Sequence, residues 1–368
     1  TTGVLVDLKV DNSDGPITIS PDTAATLSWT SSGATSCTAS GDWSGTKLVS
    51  GSQSTGNLTS SKTYNLSCSG PSGSNNDSVI VNVSTSPPPA GTSKLGLQLT
   101  CDNQNYWDFI DAKPRVVKLM DDFSCASGIK AMSPSTFIVG RIHESSQPMD
   151  GDPNARAQDW FNSRRGTIQS NPQVDCWEGY NEPWSLNRDQ VGWYGLFEKR
   201  RTELLAGIGR KACIGNFGVA WPNIIVKDEF GNDQLNFDIW DAFRPALEAA
   251  KTHGGYLGLH EYSVPGMKCL FDSASGEGLL TARYRKIYRY YMIPNGLNIP
   301  LIITETGLAR DLCNQQPVCG CSGRYNRDDV GWRAMSELIN AQQYANELKW
   351  YDSILKQDSY VVGATSFI

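Results

Sequence analysis

The chain has 368 residues, with 32 basic and 38 acidic side chains and a formal net charge of −6. It carries no run or stripe of basic residues, which argues against a nucleic acid partner. No apolar segment approaches the ~20 residues that span a bilayer, so we expect no membrane partner. The N-terminus has no basic region followed by an apolar stretch, as in a secreted protein whose signal peptide has been removed.

Ten cysteines indicate either disulfides or a metal site. Cys37 and Cys68 lie in one Ser/Thr-rich segment and form the best-matched pair, whereas Cys313, Cys319 and Cys321 cluster in a polar loop with Cys269 upstream. The Cys-Gly-Cys spacing at 319–321 is not that of a zinc site, and no histidine lies near it. We therefore favour disulfides, an oxidising compartment and an extracellular protein, with no metal or other cofactor.

Residues 4–86 differ in composition from the rest of the chain, because Ser, Thr, Gly and Asn dominate there. Short alternating runs at 4–10, 25–29, 63–68 and 78–83 are separated by turn clusters, which predicts an antiparallel β-sandwich. The runs 27–30 (LSWT) and 36–41 (SCTASG) resemble immunoglobulin-like modules that are appended to bacterial secreted enzymes. We thus predict an immunoglobulin-like sandwich over 1–86. A semi-rigid linker follows over 87–93, where three consecutive prolines favour an extended chain.

From Lys94 onward, apolar strands alternate with helical patterns. The predicted strands are 95–99, 116–120, 137–142, 174–177, 212–217, 256–260, 301–304 and 361–367, and the clearest helical patterns are 191–208, 237–250, 282–292 and 330–355. Apolar strands separated by helices imply a parallel sheet that is covered on both faces. Eight repeats predict an α/β fold, a (β/α)8 TIM barrel over 94–368. The alternative is a doubly wound sheet, but it normally has a Gly-rich loop after the first strand, where this chain has LTCDN at 99–103.

The polar residues at the strand ends form the shortlist for a site, since a barrel of this type has its active site there. Asn181-Glu182-Pro183 follows strand 4 and Glu305 follows strand 7. These two strands face each other across the barrel, so the two carboxylates can meet at one bond. A retaining glycosidase needs its carboxyl groups ~5–5.5 Å apart, one as nucleophile and one as acid/base.

The motifs at 181–183 (NEP), 260–262 (HEY) and 304–307 (TETG) together resemble clan A of the glycoside hydrolases. That clan includes many cellulases, mannanases, xylanases and β-glycosidases, and the resemblance spans the barrel from about 94 to 368. It implies that Glu182 is the acid/base and Glu305 the nucleophile. It further implies that Asn181 holds the 2-hydroxyl of the substrate and that Tyr262 donates a hydrogen bond to the nucleophile.

The remaining site predictions are less tightly tied to the motifs. The resemblance implies that His260 shapes the subsite of the reacting sugar and that Arg141 lies beside Glu305, although the clan often has this arginine on strand 2. Asn216 follows strand 5 and is a further substrate-binding prediction. His143 either contacts substrate or bonds to a loop, and Trp184 and Trp221 are either sugar platforms or rim packing. Many clan members have a tryptophan after strand 8. Here we expect that Phe367 substitutes for it, that another aromatic residue serves, or that the tryptophan follows Ile368.

Glu178 and Glu261 adjoin the motif residues, but we expect strand alternation to direct both to the other face of the sheet in structural roles. The function predicted from the sequence is a monomeric, secreted, endo-acting retaining glycoside hydrolase that cleaves a β-linked polysaccharide. One alternative is a non-catalytic carbohydrate-binding protein on the same barrel. Another is an adhesion protein in which the sandwich does the work.

Overall fold

The computed structural model describes residues 3–11, 14–19, 23–58, 60–83, 93–101, 106–183, 186–227, 232–309, 319 and 339–367. The chain divides into two compact units, Thr1–Gly91 and Thr92–Ile368. Most of the predicted linker lies outside the described residues. No helix in the described ranges is both long and apolar enough to cross a membrane.

The first unit is all β, as its alternating runs predict. Its strands are β1 (Leu5–Val10), β2 (Ile17–Ile19), β3 (Thr23–Ser32), β4 (Ser36–Gly41), β5 (Gly45–Lys47), β6 (Ser50–Leu58), β7 (Lys62–Gly70) and β8 (Gly73–Val83). One sheet has the order β1-β3-β6 and the other the order β2-β8-β7-β4-β5. Alternate residues along these strands are buried, so the apolar side chains of both sheets form one core.

The core of this unit contains Trp29 edge-on to Trp43, with ring centroids 5.4 Å apart. The predicted disulfide between Cys37 and Cys68 is confirmed. The two cysteines face each other on the neighbouring antiparallel strands β4 and β7, so the bridge joins strands of one sheet. Immunoglobulin domains of antibodies carry their bridge between the two sheets instead. The immunoglobulin-like assignment therefore stays a prediction.

The second unit contains a closed barrel of eight strands. These are β9 (Leu95–Leu99), β10 (Val116–Met120), β11 (Phe137–Arg141), β12 (Cys176–Glu178), β13 (Ala212–Phe217), β16 (Tyr256–Ser263), β19 (Leu301–Leu308) and β20 (Val361–Ser366), with short hairpins β14 (Ile225–Lys227)/β15 (Asp233–Leu235) and β17 (Phe271–Asp272)/β18 (Glu277–Gly278) outside it. All barrel pairs are parallel. The predicted eight-stranded parallel barrel is confirmed, and the doubly wound sheet is excluded.

Helices lie between the barrel strands. They are α1 (Tyr106–Asp111), α2 (Ala126–Met132), α3 (Pro153–Ser170), α4 (Arg188–Ala206), α5 (Asp238–His253), α6 (Tyr284–Ile287) with a π-helical turn over Tyr288–Met292, and α7 (Ala341–Leu355). Asn187 and Asn340 begin α4 and α7 with side-chain caps, and Gly254 ends α5 in the left-handed conformation that glycine tolerates. The predicted helix over 330–355 is observed from residue 341, and its first part lies outside the described residues.

A small apolar cluster fills the lower interior of the barrel. It consists of Val116, Val139, Cys176, Cys213 and Ile302, all of which are fully buried. Cys176 and Cys213 form a disulfide that joins neighbouring strands β12 and β13 inside this cluster. The other disulfides of the unit join Cys101 to Cys125 and Cys269 to Cys319. Above the cluster the interior becomes polar, and the candidate site lies there.

Candidate active site

Glu305 lies within strand β19 and is 8% exposed. The Tyr262 hydroxyl on β16 donates to Glu305 Oε2 at 2.9 Å, as the resemblance implies. Lys118 Nζ on β10 donates to Oε1 at 2.9 Å, and Arg141 Nη1 on β11 lies 3.6 Å from the same oxygen. Side chains from three barrel strands thus hold this carboxylate in one orientation, and two of them bring positive charge to it.

This environment favours the ionised form of Glu305. Burial, the largest single effect, raises the pKa of its carboxyl, but the His260 ring, the Lys118 ammonium and the hydrogen bonds from Lys118 and Tyr262 together outweigh it. The net result is a pKa of about 2. Burial, together with the negative charge of Glu305, raises the pKa of Tyr262 well above its ordinary value, so its hydroxyl remains a donor.

Glu182 lies four residues beyond the end of β12, in a different setting. Its φ is 47°, in the left-handed region that non-glycine residues seldom adopt. Its backbone N–H donates to the carbonyl of Asn216 at 3.0 Å, and Asn216 itself has a φ of 45°. Two strained residues at the ends of β12 and β13 therefore support each other. Such strain persists only where surrounding contacts enforce it, as they do here.

His260 connects the two carboxylates. Its Nδ1 lies 2.8 Å from Glu182 Oε1 and 3.5 Å from Glu305 Oε2. One oxygen of each glutamate and one histidine nitrogen all lie within 4.8 Å of one another. Three such groups can also hold a metal ion, but Lys118 and Arg141 already bring two positive charges to Glu305, which disfavours a further cation. The arrangement suits a reaction at a bond placed between two carboxyl groups.

Asn181 is fixed by a residue that the sequence did not single out. Gln147 donates from Nε2 to the carbonyl of Asn181 at 3.1 Å, and its Oε1 accepts from the Asn181 N–H. The side-chain Oδ1 of Asn181 is buried and has no hydrogen-bond partner in the described part of the chain. An acceptor in this position is available to a hydroxyl group of a ligand.

The other predicted site residues differ in where the structure places them relative to Glu182 and Glu305. His143 is exposed, and its backbone N–H donates to Asp121 Oδ1 at 2.6 Å, which fits a loop contact. Asn216 is fully buried, with Oδ1 against Gly258, where a Cβ would lie only 2.0 Å away. Trp221 packs against the barrel core and accepts from Arg283 through its carbonyl. Trp184 lies outside the described residues.

Asn216 meets Glu182 through its backbone carbonyl, which accepts from the Glu182 N–H at 3.0 Å. Its side chain lies against Gly258, and Nδ2 donates to the Cys213 carbonyl at 3.4 Å. Its role in binding substrate stays a prediction. The ring of Phe367 lies edge-on to Tyr262 at a centroid distance of 6.4 Å.

Glu178 was expected to face away from the site, and this expectation is wrong. Its Oε2 lies 2.9 Å from Lys118 Nζ in the barrel interior, and the Glu178 side chain is 1% exposed. Residues two apart on a strand share a face, and Glu178 faces inward together with Cys176 of the interior cluster. The signal in the sequence was a lysine in the middle of the apolar strand VVKLM, because a buried ammonium requires buried counter-charges.

Glu261, by contrast, faces outward as expected. It accepts from the backbone N–H groups of Ala282 and Tyr284 at 2.7 and 3.0 Å and from the Tyr351 hydroxyl at 2.6 Å. Burial raises its pKa to about 7 despite these hydrogen bonds. This carboxyl joins the strand to the surrounding helices and is structural.

No family model matches the chain, and no curated protein matches it. Among solved structures, it is similar to a putative β-galactosidase from Bacteroides fragilis, with 12% identity, a TM-score of 0.41, and coverage of 99% of this chain and 54% of that one. It is also similar to a Ruminococcus gnavus β-glucuronidase, with 11% identity, a TM-score of 0.37, and coverage of 99% and 60%. The chain thus spans about half the length of these structures. A likeness at this level does not establish a shared activity.

Proposed function

We propose that this protein is a secreted retaining glycoside hydrolase that cleaves β-glycosidic bonds of a polysaccharide by double displacement. The observation that carries the proposal is the carboxylate pair, since oxygens of Glu182 and Glu305 lie within 4.8 Å of each other. Retaining enzymes have their carboxyl groups ~5–5.5 Å apart, whereas inverting enzymes leave ~6.5–9.5 Å for a water molecule. The short separation favours direct attack by one carboxylate.

The two environments assign the roles. Glu305 is ionised, buried and fixed, so its carboxylate attacks the anomeric carbon and forms an ester with the sugar. The bond from that carbon to the leaving oxygen breaks, and Glu182 gives its proton to this oxygen. Water then attacks the anomeric carbon, Glu182 takes the proton of the water, and the ester bond to Glu305 breaks. Two inversions restore the original configuration.

Asn181 fits the 2-hydroxyl position through its unpartnered Oδ1. A cavity of about 390 Å³ lies beside Glu182, and Gln147, Met149, Pro183, Leu186 and Gln190 contribute to its lining. Among the described residues that line it, Glu182 alone is charged, so we assign this space to an uncharged leaving group. The four disulfides among the described residues support secretion, because such bonds persist in oxidising compartments.

Reducing ends released from a panel of β-glucans, mannans and xylans test the proposal, and NMR at early times gives the anomeric configuration of the product. We expect release from at least one polymer with retention. Binding without release from any substrate would favour the non-catalytic alternative, and inversion would contradict the assigned roles. Removal of residues 1–90 should leave hydrolysis of soluble substrates intact, whereas an adhesion protein would lose its function.

A further inference from the structure

Lys118 is shared between two carboxylates in the barrel interior. Its Nζ lies 2.9 Å from Glu305 Oε1 and 2.9 Å from Glu178 Oε2. Both Lys118 and Glu178 are essentially inaccessible to water, with side-chain exposures of 0% and 1%. Burial lowers the pKa of Lys118, but the two carboxylates raise it more, so the ammonium stays charged. The group is therefore a buried carboxylate–ammonium–carboxylate bridge.

We propose that Glu178 and Lys118 are positioning residues, and that Glu178 is the counter-ion that keeps Lys118 paired while Glu305 is bound to the sugar. This inference rests on the proposed double displacement. When Glu305 becomes an ester, its negative charge is lost. An ammonium that had Glu305 as its sole partner would then stay buried without a counter-charge, which costs several kcal/mol in proteins. With Glu178 present, a neutral ion pair remains.

Glu178 also limits how strongly Lys118 holds the nucleophile. An ammonium that is bonded to Glu305 alone would stabilise the free carboxylate more than the transition state, in which part of the charge has moved to the new bond. Sharing the ammonium with a second carboxylate reduces this difference, so Glu305 is kept ionised without losing its reactivity. No described group makes a well-aligned hydrogen bond to either oxygen of Glu178. Its observed polar contact is the ion pair with the Lys118 ammonium.

Among the described residues, charged and titratable groups face Glu305 from several barrel elements. They are Lys118 from β10, Arg141 from β11, Glu178 from β12, Glu182 beyond β12, and His260 and Tyr262 from β16. Arg141 is 11% exposed in its side chain and remains partly in contact with solvent, so it tolerates loss of the Glu305 charge better. Lys118 is the cation that most needs a second partner.

The decisive test compares Glu178→Gln with wild type in rapid-quench kinetics on an aryl glycoside that the enzyme hydrolyses. We expect formation of the glycosyl-enzyme to slow by about 10- to 100-fold, because the ester state now leaves Lys118 unpaired. Breakdown of the ester should be unchanged or faster, since it restores the Glu305–Lys118 pair. Equal slowing of both steps, or no slowing, would overturn the proposal.

Asp175→Asn is the matched control, because Asp175 pairs with Lys130 at 2.7 Å only three positions away, in a part-exposed site. Both steps should stay within about 3-fold of wild type in this variant. An effect equal to that of Glu178→Gln would show that the loss is a general consequence of weakening an ion pair. That result would also overturn the proposal.

A second test measures the pKa of Glu305 and needs no substrate. It separates Lys118→Met from Glu178→Gln, because only the first variant removes a cation beside Glu305. The pKa of Glu305, followed by NMR of labelled glutamate carboxyls, should rise in Lys118→Met and should not rise in Glu178→Gln. Should Lys118→Met fail to fold, Lys118→Met/Glu178→Gln removes the unpaired carboxylate and carries the same test. Absence of turnover and of covalent trapping in wild type would refute the proposed function, whereas an unchanged Glu305 pKa would refute the bridge.

Discussion

The two glutamates of the site occupy opposite kinds of environment, although a run of apolar residues precedes each. Glu305 lies inside strand β19, where the pairing with both neighbouring strands is irregular, and its side chain is 10% exposed and meets two cations. Glu182 lies past the end of its strand, with a strained backbone and a side chain that is 39% exposed. A nucleophile must stay ionised and fixed, whereas an acid/base must exchange protons with substrate and solvent. In the proposed mechanism, this difference in burial makes Glu305 the nucleophile and Glu182 the acid/base.

The largest effect is expected from Glu305→Gly, which removes the buried member of the pair. Turnover should fall by more than about 10⁴-fold, because the covalent route is lost. Added azide should restore part of the rate and give a glycosyl azide of inverted configuration, as detected by NMR. Wild-type rates in this variant would show that the buried carboxylate is not the nucleophile.

Glu182→Gln removes the exposed member and should have an effect that depends on the substrate. Glycosides with poor leaving groups should lose about 10²- to 10⁴-fold in rate, since they need a proton in the first step. Glycosyl fluorides need little assistance, so formation of their intermediate should be nearly unaffected. Comparing kcat/KM across leaving groups checks this, and a uniform loss would contradict the acid role.

Tyr262→Phe tests how the buried environment lowers the pKa of Glu305. Loss of the hydrogen bond at 2.9 Å should raise this pKa from about 2 by about 1–2 units. Ionised Glu305 is the active form, so activity is lost as pH falls through its pKa. The acidic limb of kcat/KM should therefore move to higher pH, with about a 10-fold loss at the optimum. An unmoved limb would mean that Tyr262 does not act on Glu305.

The smallest effect is expected from Glu261→Gln, on the outer face. Because burial raises the pKa of Glu261 from 4.5 to about 7, the folded chain keeps a proton that the unfolded chain releases. Stability due to this group falls as pH rises from about 4.5 to 7, by about 3 kcal/mol. Denaturant unfolding at pH 5 and pH 8 should show a smaller difference in the variant, and an equal difference would refute the assignment.

Much of this arrangement could be predicted from the sequence, because apolar strands and their breaks are local signals. The barrel strands and the positions of Glu182 and Glu305 followed from runs such as LIITETG. The lysine within VVKLM indicates that buried counter-charges are needed, but its partner Glu178 lies 60 positions away and no local pattern identifies it. The enclosure of Asn216 depends on Gly258 on the next strand, a contact that no local pattern contains.

The disulfide between Cys176 and Cys213 has a consequence for the order of assembly. Both cysteines are 0% exposed and lie beneath Glu178, on the barrel floor. No oxidant or thiol catalyst can reach them once the eight strands have closed. We expect the bond to form while this part of the chain is still open, before Glu182 and Glu305 come together. We therefore expect chains that close under reducing conditions to keep two trapped thiols, which later exposure to oxidant does not convert.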